Sequence, residues 1–309
     1  MSSPLVIASS PHIRADMSTQ KIMANVIGAL IPCGFAGAFF FGARTVAVMA
    51  VCVTACVASE AVWQKMSGRK ITVSDLSAAL TGLLLAYNLP PSIPLWMAAA
   101  GGVFSIIIVK QFFGGLGQNI VNPALAGRAM MLICWPTAMT TWSIHGISGP
   151  TPLYVIKFAE EGLPSLMDMA IGNIGGCIGE TSSIAILLGG GYLIARGIIS
   201  WRIPVVYIAA VLATAALAGR SGGTVTELLT GGLMLGAFFM ATDYATSPMT
   251  APGQVIFAIG CGVITALIRA FGAYPEGVSY SILIMNLSVP LIDRLMPPRI
   301  LGEVKKNAS

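Results

Sequence analysis

Charge is what this chain has least of. Only 9% of its 309 residues are Asp, Glu, Lys or Arg, while 56% are hydrophobic. Soluble domains carry about 25% charged residues, and a chain this poor in them cannot cover a water-facing surface. An ordinary soluble globule is thereby excluded, and an integral membrane protein is expected. Histidine is nearly missing: His12 and His145 are the only 2, too few and too far apart for a haem or metal pair. Cys33, Cys52, Cys56, Cys134, Cys177 and Cys261 are scattered, with no histidine beside them. No zinc or iron–sulfur ligand set follows from that spacing. Cys52 and Cys56 share a helix face and read as small packing residues, and Cys177 is expected near the outer surface. There is no glycine-rich phosphate loop and no nucleophile triad, so a soluble type of redox enzyme is not supported. The basic excess, 17 Lys and Arg against 12 Asp and Glu, forms no dense patch interleaved with aromatics, which removes nucleic acid as a partner. A secretory signal is not expected either, because 1–21 is polar and the apolar run after it is too long.

What the chain has instead is apolar segments. They cover 22–41, 46–63, 76–89, 93–109 and 124–135, then 184–195, 205–218, 228–241, 255–267 and 278–291. About 20 residues cross the ~30 Å of hydrocarbon in a bilayer, so these predict an all-α membrane protein of about ten spans, several of them short. The halves look repeated. Gly82-Leu-Leu-Leu85 recurs as Gly232-Leu-Met-Leu235, and Ile108-Val-Lys110-Gln-Phe-Phe-Gly114 recurs as Leu267-Ile-Arg269-Ala-Phe-Gly272. Five spans in each half make the repeats inverted, an architecture that puts its sites on broken helices between the halves. The expected division is a first five-helix repeat in 1–137, an extracytoplasmic loop in 138–182, and a second repeat with a short tail in 183–309. Orientation follows from the basic residues. With the amino terminus in the cytoplasm, the inside collects Lys21, Lys65, Arg69, Lys70, Lys110, Arg196, Arg202, Arg294, Lys305 and Lys306 among others. The outside then holds only Arg44, Lys157, Arg220 and Arg269. Both termini are therefore expected inside, and the central loop outside.

A few polar groups interrupt this apolar text. Around Ser148-Gly-Pro-Thr151-Pro152 the hydroxyl, Gly and Pro content marks an exposed turn, where a modifying enzyme would reach the Thr151 hydroxyl; an ordinary connecting loop has the same look. Glu180, Thr181 and Ser182 follow Gly175-Gly-Cys-Ile-Gly179 and suit a helix start. Asp243 at the inner end of the eighth span is costly unless paired or hydrated. Arg128, one turn past Pro123, suits either snorkelling to the cytoplasmic interface or contact with a phosphate or carboxylate. Asn25, Asn88, Asn119, Asn122 and Asn286 are expected to hydrogen-bond between helices.

Several stretches together carry a resemblance: Ser9-Ser-Pro-His-Ile-Arg14, Gln118-Asn-Ile-Val-Asn-Pro-Ala124 with Gly127-Arg128-Ala129, Gly179-Glu-Thr-Ser182, Phe239-Met-Ala-Thr-Asp-Tyr-Ala-Thr-Ser-Pro-Met-Thr250, and Gly272-Ala-Tyr-Pro-Glu-Gly277 followed by Met285-Asn286. The chain resembles the D subunits of Rnf electron-transport complexes and, more distantly, the B subunit of the sodium-translocating NADH:quinone oxidoreductase. The resemblance implies FMN bound covalently through a phosphoester to Thr151, with Ser148 and Gly149 in the attachment motif and a separate flavin transferase installing it. The chain departs from the family motif at Pro150, where Ala is usual, and at His145, where Asp is usual. The resemblance also implies a second, non-covalent riboflavin, without assigning residues to it. Glu180, Thr181 and Ser182 become candidates for supporting the flavin or a cation, and Asp243 and Arg128 candidates for an ion path near the inner side. The implied partners are the other membrane and peripheral subunits of the complex and Na+ or H+, in a bacterial or archaeal cytoplasmic membrane. The resemblance further implies electron flow between ferredoxin and NAD within the complex, with no catalytic residue in this chain itself. Two rival readings are a flavin-free channel or transporter with an inverted-repeat fold, and a structural scaffold for redox partners.

Overall fold

The computed structural model describes residues 17–144, 147–149, 151–158, 162–219, 224–272 and 276–298. All ten apolar segments are helical over most of their length. The first half holds α1 (Thr19–Phe41), α2 (Ala43–Met66), α3 (Ser77–Tyr87), α4 (Leu95–Phe104) and α5 (Pro123–Cys134). α4 continues as a π-helical run, Ser105–Gln111. A short α6 (Pro136–Met139), a two-residue hairpin of β1 (Ser143–Ile144) and β2 (Ile147–Ser148), α7 (Pro152–Phe158) and α8 (Leu166–Ile171) form the middle. The second half holds α9 (Ser183–Ala195), α10 (Arg202–Leu217), α11 (Thr224–Leu229), α12 (Leu233–Leu235) with a π-helical run Gly236–Met240, α13 (Ala251–Phe271) and α14 (Val278–Leu295). Four of these, α1, α2, α13 and α14, are long and apolar enough to cross a membrane by themselves.

Local chemistry sets the helix starts. Asn122 accepts from the backbone N–H groups of Ala124 and Leu125, with Pro123 in the first position where no N–H is missed. Ser182 caps α9 and Thr250 caps α13 in the same way. Both halves contain a broken helix. α3 stops at Asn88, just before Pro90-Pro91, and α11 stops at Thr230, followed by Gly231 and Gly232 at φ 69° and 67°. A side chain disfavours that left-handed backbone, so glycine is needed there.

Broken helices leave carbonyls without partners, which lipid cannot satisfy. Protein does so here. Ile178 N–H donates to the Leu89 carbonyl at 3.1 Å and Gly179 N–H to that of Tyr87 at 3.0 Å, while Arg44 reaches the carbonyls of Ser92 and Ile93. At the second break, Arg269 donates to the carbonyls of Glu227, Thr230 and Gly231 and to the Glu227 carboxylate at 2.7 Å. The segment expected as an outer loop, 138–182, is thus divided. Its last part, from Ile174 to Ser182, is almost wholly buried and plugs the first break.

Helices pair across the halves. α1 packs on α9 and α5 on α14, while α2 packs on α4 within the first half as α10 packs on α13 within the second. One apolar core runs through α1, α3, α5, α9, α10, α13 and α14. Asparagines join the halves as expected. Asn286 Oδ1 accepts Asn122 N–H at 3.1 Å, Asn286 Nδ2 donates to the Thr246 carbonyl at 2.8 Å, and Asn122 Nδ2 to that of Met240 at 3.3 Å.

Candidate functional site

A cavity of about 450 Å³ opens where α5, α7 and the start of α14 meet the hairpin. Binding pockets for small molecules usually measure roughly 300–1,000 Å³. Arg128, Ala129 and Leu132 line it from α5, Thr151, Tyr154 and Phe158 from α7 and its cap, and Glu276, Ser279 and Tyr280 from the α14 end. Trp142 and Gly149 come from the hairpin, whose register pairs Ser143 with Ser148 and Ile144 with Ile147. The walls are mainly apolar and aromatic, with the hydroxyls of Thr140, Thr151, Ser279 and Tyr280 and the Arg128–Glu276 ion pair set among them.

Thr151 corrects the expectation of an exposed hydroxyl. It is only 5% exposed, because the loop folds back over α5 and α14. Its Oγ1 accepts the Tyr154 N–H at 3.2 Å and its carbonyl accepts that of Val155 at 3.0 Å, so Thr151 caps α7. It faces the cavity, not open solvent. Ser148 lies in β2, and Gly149 N–H donates to the Trp142 carbonyl at 3.2 Å. Pro150 and His145 lie outside the described residues.

Arg128 belongs to this cavity. The sequence grouped it with Asp243 near the inner side, but α5 aims it toward Thr151's end of the molecule. It forms an ion pair with Glu276 and hydrogen-bonds Ser279 Oγ, and a third contact reaches Cys177 Sγ at 3.7 Å. Its Nε is buried without a partner. Asp243 lies elsewhere, half-buried beside Lys110, Asn119 and Asn122 in a second, smaller cleft, where Thr246 Oγ1 donates to it at 3.0 Å.

Glu180, Thr181 and Ser182 are all buried, yet none lines the cavity. Ser182 does the capping of α9, with Ala185 N–H at 3.4 Å. Glu180 instead turns back to accept the Cys177 N–H at 3.0 Å. Cys177 is fully buried, and Cys134 is the exposed cysteine. The Cys177 thiol donates to the Asn88 carbonyl at 3.2 Å inside the first helix break.

Glu276 is the residue that sequence reasoning missed. It stood inside one of the motifs that carry the resemblance, without a role. Its position just before the last span placed it on the same side as the central loop, and that was the available signal. Two buried ion pairs also escaped: Glu60 with Lys110 at 2.9 Å and Glu227 with Arg269 at 2.7 Å.

Comparison with known proteins identifies the family. The sequence model of the NQR2, RnfD, RnfE family matches residues 6–302. The chain is 52% identical to the D subunit of the Na(+)-translocating ferredoxin:NAD(+) oxidoreductase complex of Acetobacterium woodii, over 98% of both chains. It is 46% identical to the D subunit of the proton-translocating ferredoxin:NAD(+) oxidoreductase complex of Clostridium ljungdahlii, over 94% of both. It is 38% identical to the D subunit of the ion-translocating oxidoreductase complex of Stutzerimonas stutzeri, over 92% of both. With a family match across nearly its whole length and relatives this similar end to end, the chain belongs to the NQR2, RnfD, RnfE family.

Proposed function

We propose that this chain is the D subunit of an Rnf-type complex in a bacterial or archaeal cytoplasmic membrane. There it takes part in electron transfer between ferredoxin and NAD coupled to movement of sodium ions or protons. The names of the relatives support the complex, and they divide between sodium and proton. The other subunits of the complex are then its partners. The observation that carries the electron-transfer role is the cavity joining the Thr151 hydroxyl to the Arg128 guanidinium.

FMN fits this cavity when tethered through a phosphoester to Thr151 by a flavin transferase. The volume suits a flat ring system, the aromatic walls suit its faces, and the unpartnered Nε of Arg128 supplies a donor for an anionic group. Bound FMN supplies one- and two-electron redox chemistry, and the protein sets its position and local charge. Thr151 acts as the tether, which prevents loss of the group and holds it at high effective concentration. Trp142, Tyr154, Phe158 and Tyr280 supply aromatic faces for the flavin ring. Glu276 and Ser279 orient the guanidinium and fix the direction of its free N–H.

The same proposal includes ten spans in two inverted repeats, 1–137 and 183–309, around an outer segment 138–182, with both termini cytoplasmic. Support comes from equivalent contacts. Lys110 donates to Ser77 Oγ at 2.6 Å, and Arg269, its counterpart in the repeat, donates to the carboxylate of Glu227, the counterpart of Ser77. The pairings α1 with α9 and α5 with α14 join like to like about a two-fold relation.

Intact mass and in-gel flavin fluorescence test the tether, using protein from the native host or co-expressed with the transferase. The expected result is an increment of one FMN that is lost in Thr151→Ala. An increment surviving the substitution moves the attachment elsewhere, and no increment in the unsubstituted chain rejects the covalent flavin.

A further inference from the structure

Beside the cavity, and not lining it, stands a carboxylate that the proposed function leaves unused. Glu180 is 7% exposed. One oxygen, Oε1, accepts the Cys177 N–H, while Oε2 is buried with no hydrogen-bond partner. Oε2 is aimed at the second helix break: a Cβ on Gly232 would lie 2.5 Å from it. Next in sequence, Thr181 Oγ1 is likewise buried and unpartnered, in a residue 1% exposed.

The charged and titratable groups around Glu180 come from several elements. Cys177 Sγ and the carboxylates of Glu180 and Glu276 offer atoms that all lie within 4.8 Å of one another. Arg128 reaches into this group from α5, pairing with Glu276 and touching Cys177 Sγ. Tyr87 packs on Gly179 and donates its hydroxyl to the Leu30 carbonyl at 2.8 Å. Beyond Gly231, Glu227 and Arg269 balance each other.

Charge does not balance around Glu180. Two ionised carboxylates against the one guanidinium of Arg128 leave a negative charge in excess, inside protein. An uncompensated charge is costly there, and two carboxylates sharing a site retain one proton between them. A metal ion is a poor alternative, because a guanidinium already stands among the same ligand atoms and repels a second cation. We infer that Glu180 is a proton-binding site, in which a proton on Oε2 neutralises the group formed with Arg128 and Glu276 at the junction of the two helix breaks. The step forms one O–H bond and nothing else. It needs no flavin, so it stands or falls separately from the function proposed above.

The test uses the full chain carrying Thr151→Ala, which removes the tether, reconstituted in lipid nanodiscs. Infrared difference spectra are recorded on stepping pH, in H2O and D2O. The expected result is a protonated-carboxyl carbonyl band, shifted in D2O, that titrates between about pH 5 and 9 and is missing in Glu180→Gln. Glu276→Gln, which removes the neighbouring negative charge, should move the midpoint down by about one pH unit or more, a tenfold loss of proton affinity. If Glu180→Gln does not fold, the Glu276→Gln shift decides alone, and an unmoved midpoint overturns the inference. A spectrum with no band that depends on Glu180 overturns it. So does saturable loss of the band on adding sodium at fixed pH, which would assign the carboxylate to the metal cation.

Discussion

Lys110 Nζ lies 2.9 Å from the Glu60 carboxylate, and the two side chains are 2% and 1% exposed. Gln111 and Ser77 complete the set, at 2.6 Å each. Removing one member of such a pair strands the other charge in a medium that cannot solvate it, at a cost of about 3–5 kcal/mol. Lys110→Met alone should therefore destabilise strongly, and the double change Glu60→Gln with Lys110→Met should recover most of the loss. Unfolding in mixed detergent, followed by tryptophan fluorescence, measures both; equal losses in single and double variants would show that the pairing is not what counts. Glycine offers a second contrast. A Cβ on Gly179 would sit 2.3 Å from the Tyr87 ring, whereas one on Gly28 meets nothing within 4 Å. The ring is packed and cannot retreat, so Gly179→Ala should cost about 1–3 kcal/mol, as overpacking does. Gly28→Ala should leave stability within about 0.5 kcal/mol. The same unfolding assay separates the two.

α7 shows what a local pattern can and cannot reveal. Ser182 read as part of a helix start and caps α9, while Asn122 and Thr250, which the sequence left without a capping role, cap α5 and α13. Thr151 carried the same signal, followed by Pro152, yet its turn residues read equally as an exposed loop. What decides is tertiary: Leu153 of α7 packs over Gly231 at the second break, where an added Cβ would lie 2.3 Å from its Cδ1, and this docking draws Thr151 under cover. Contacts between residues so far apart in sequence leave no trace in periodicity. Glu276 was missed for the same reason, since its partner Arg128 lies in the other half. The burial has a consequence for the proposed modification. A transferase cannot bring a flavin donor's phosphorus to the hydroxyl of a residue that is 5% exposed unless α7 first opens. Leu153→Ala removes the docking contact, and large-to-small core changes cost about 2–5 kcal/mol, here spent on local opening. Purified unmodified chain given transferase and flavin donor should label slowly, and Leu153→Ala several-fold faster, as followed by in-gel fluorescence. Equal rates would mean that attachment does not wait for α7.

At the scale of the whole molecule, the ten apolar segments were legible because membrane burial is written into continuous hydrophobic runs. The end of the third segment was legible before Pro90-Pro91, but the break at Gly231-Gly232 was not, because 228–241 reads as one apolar run, and neither showed the manner of its repair. Plugging the first break with Ile178 and Gly179 depends on a connector that looked like exterior loop. Orientation is a different kind of inference, resting on where Lys and Arg fall, and it can be tested directly. The described cysteines are buried except Cys134, so replacing Cys134 with Ser leaves a chain nearly silent to an impermeant maleimide. Lys70→Cys then reports the α2–α3 connection and Leu163→Cys the α7–α8 connection, two places where the native residues are exposed. With both termini inside, intact cells should label Leu163→Cys and not Lys70→Cys, and inverted vesicles should do the reverse. The opposite pattern would turn the molecule over and place Thr151 inside. Labelling of both from one side would require an even number of crossings between positions 70 and 163, where the proposed topology counts three, one for each of the short helices α3, α4 and α5. In that case the inverted relation between the halves would fail, since an odd number of spans per half is what inverts them.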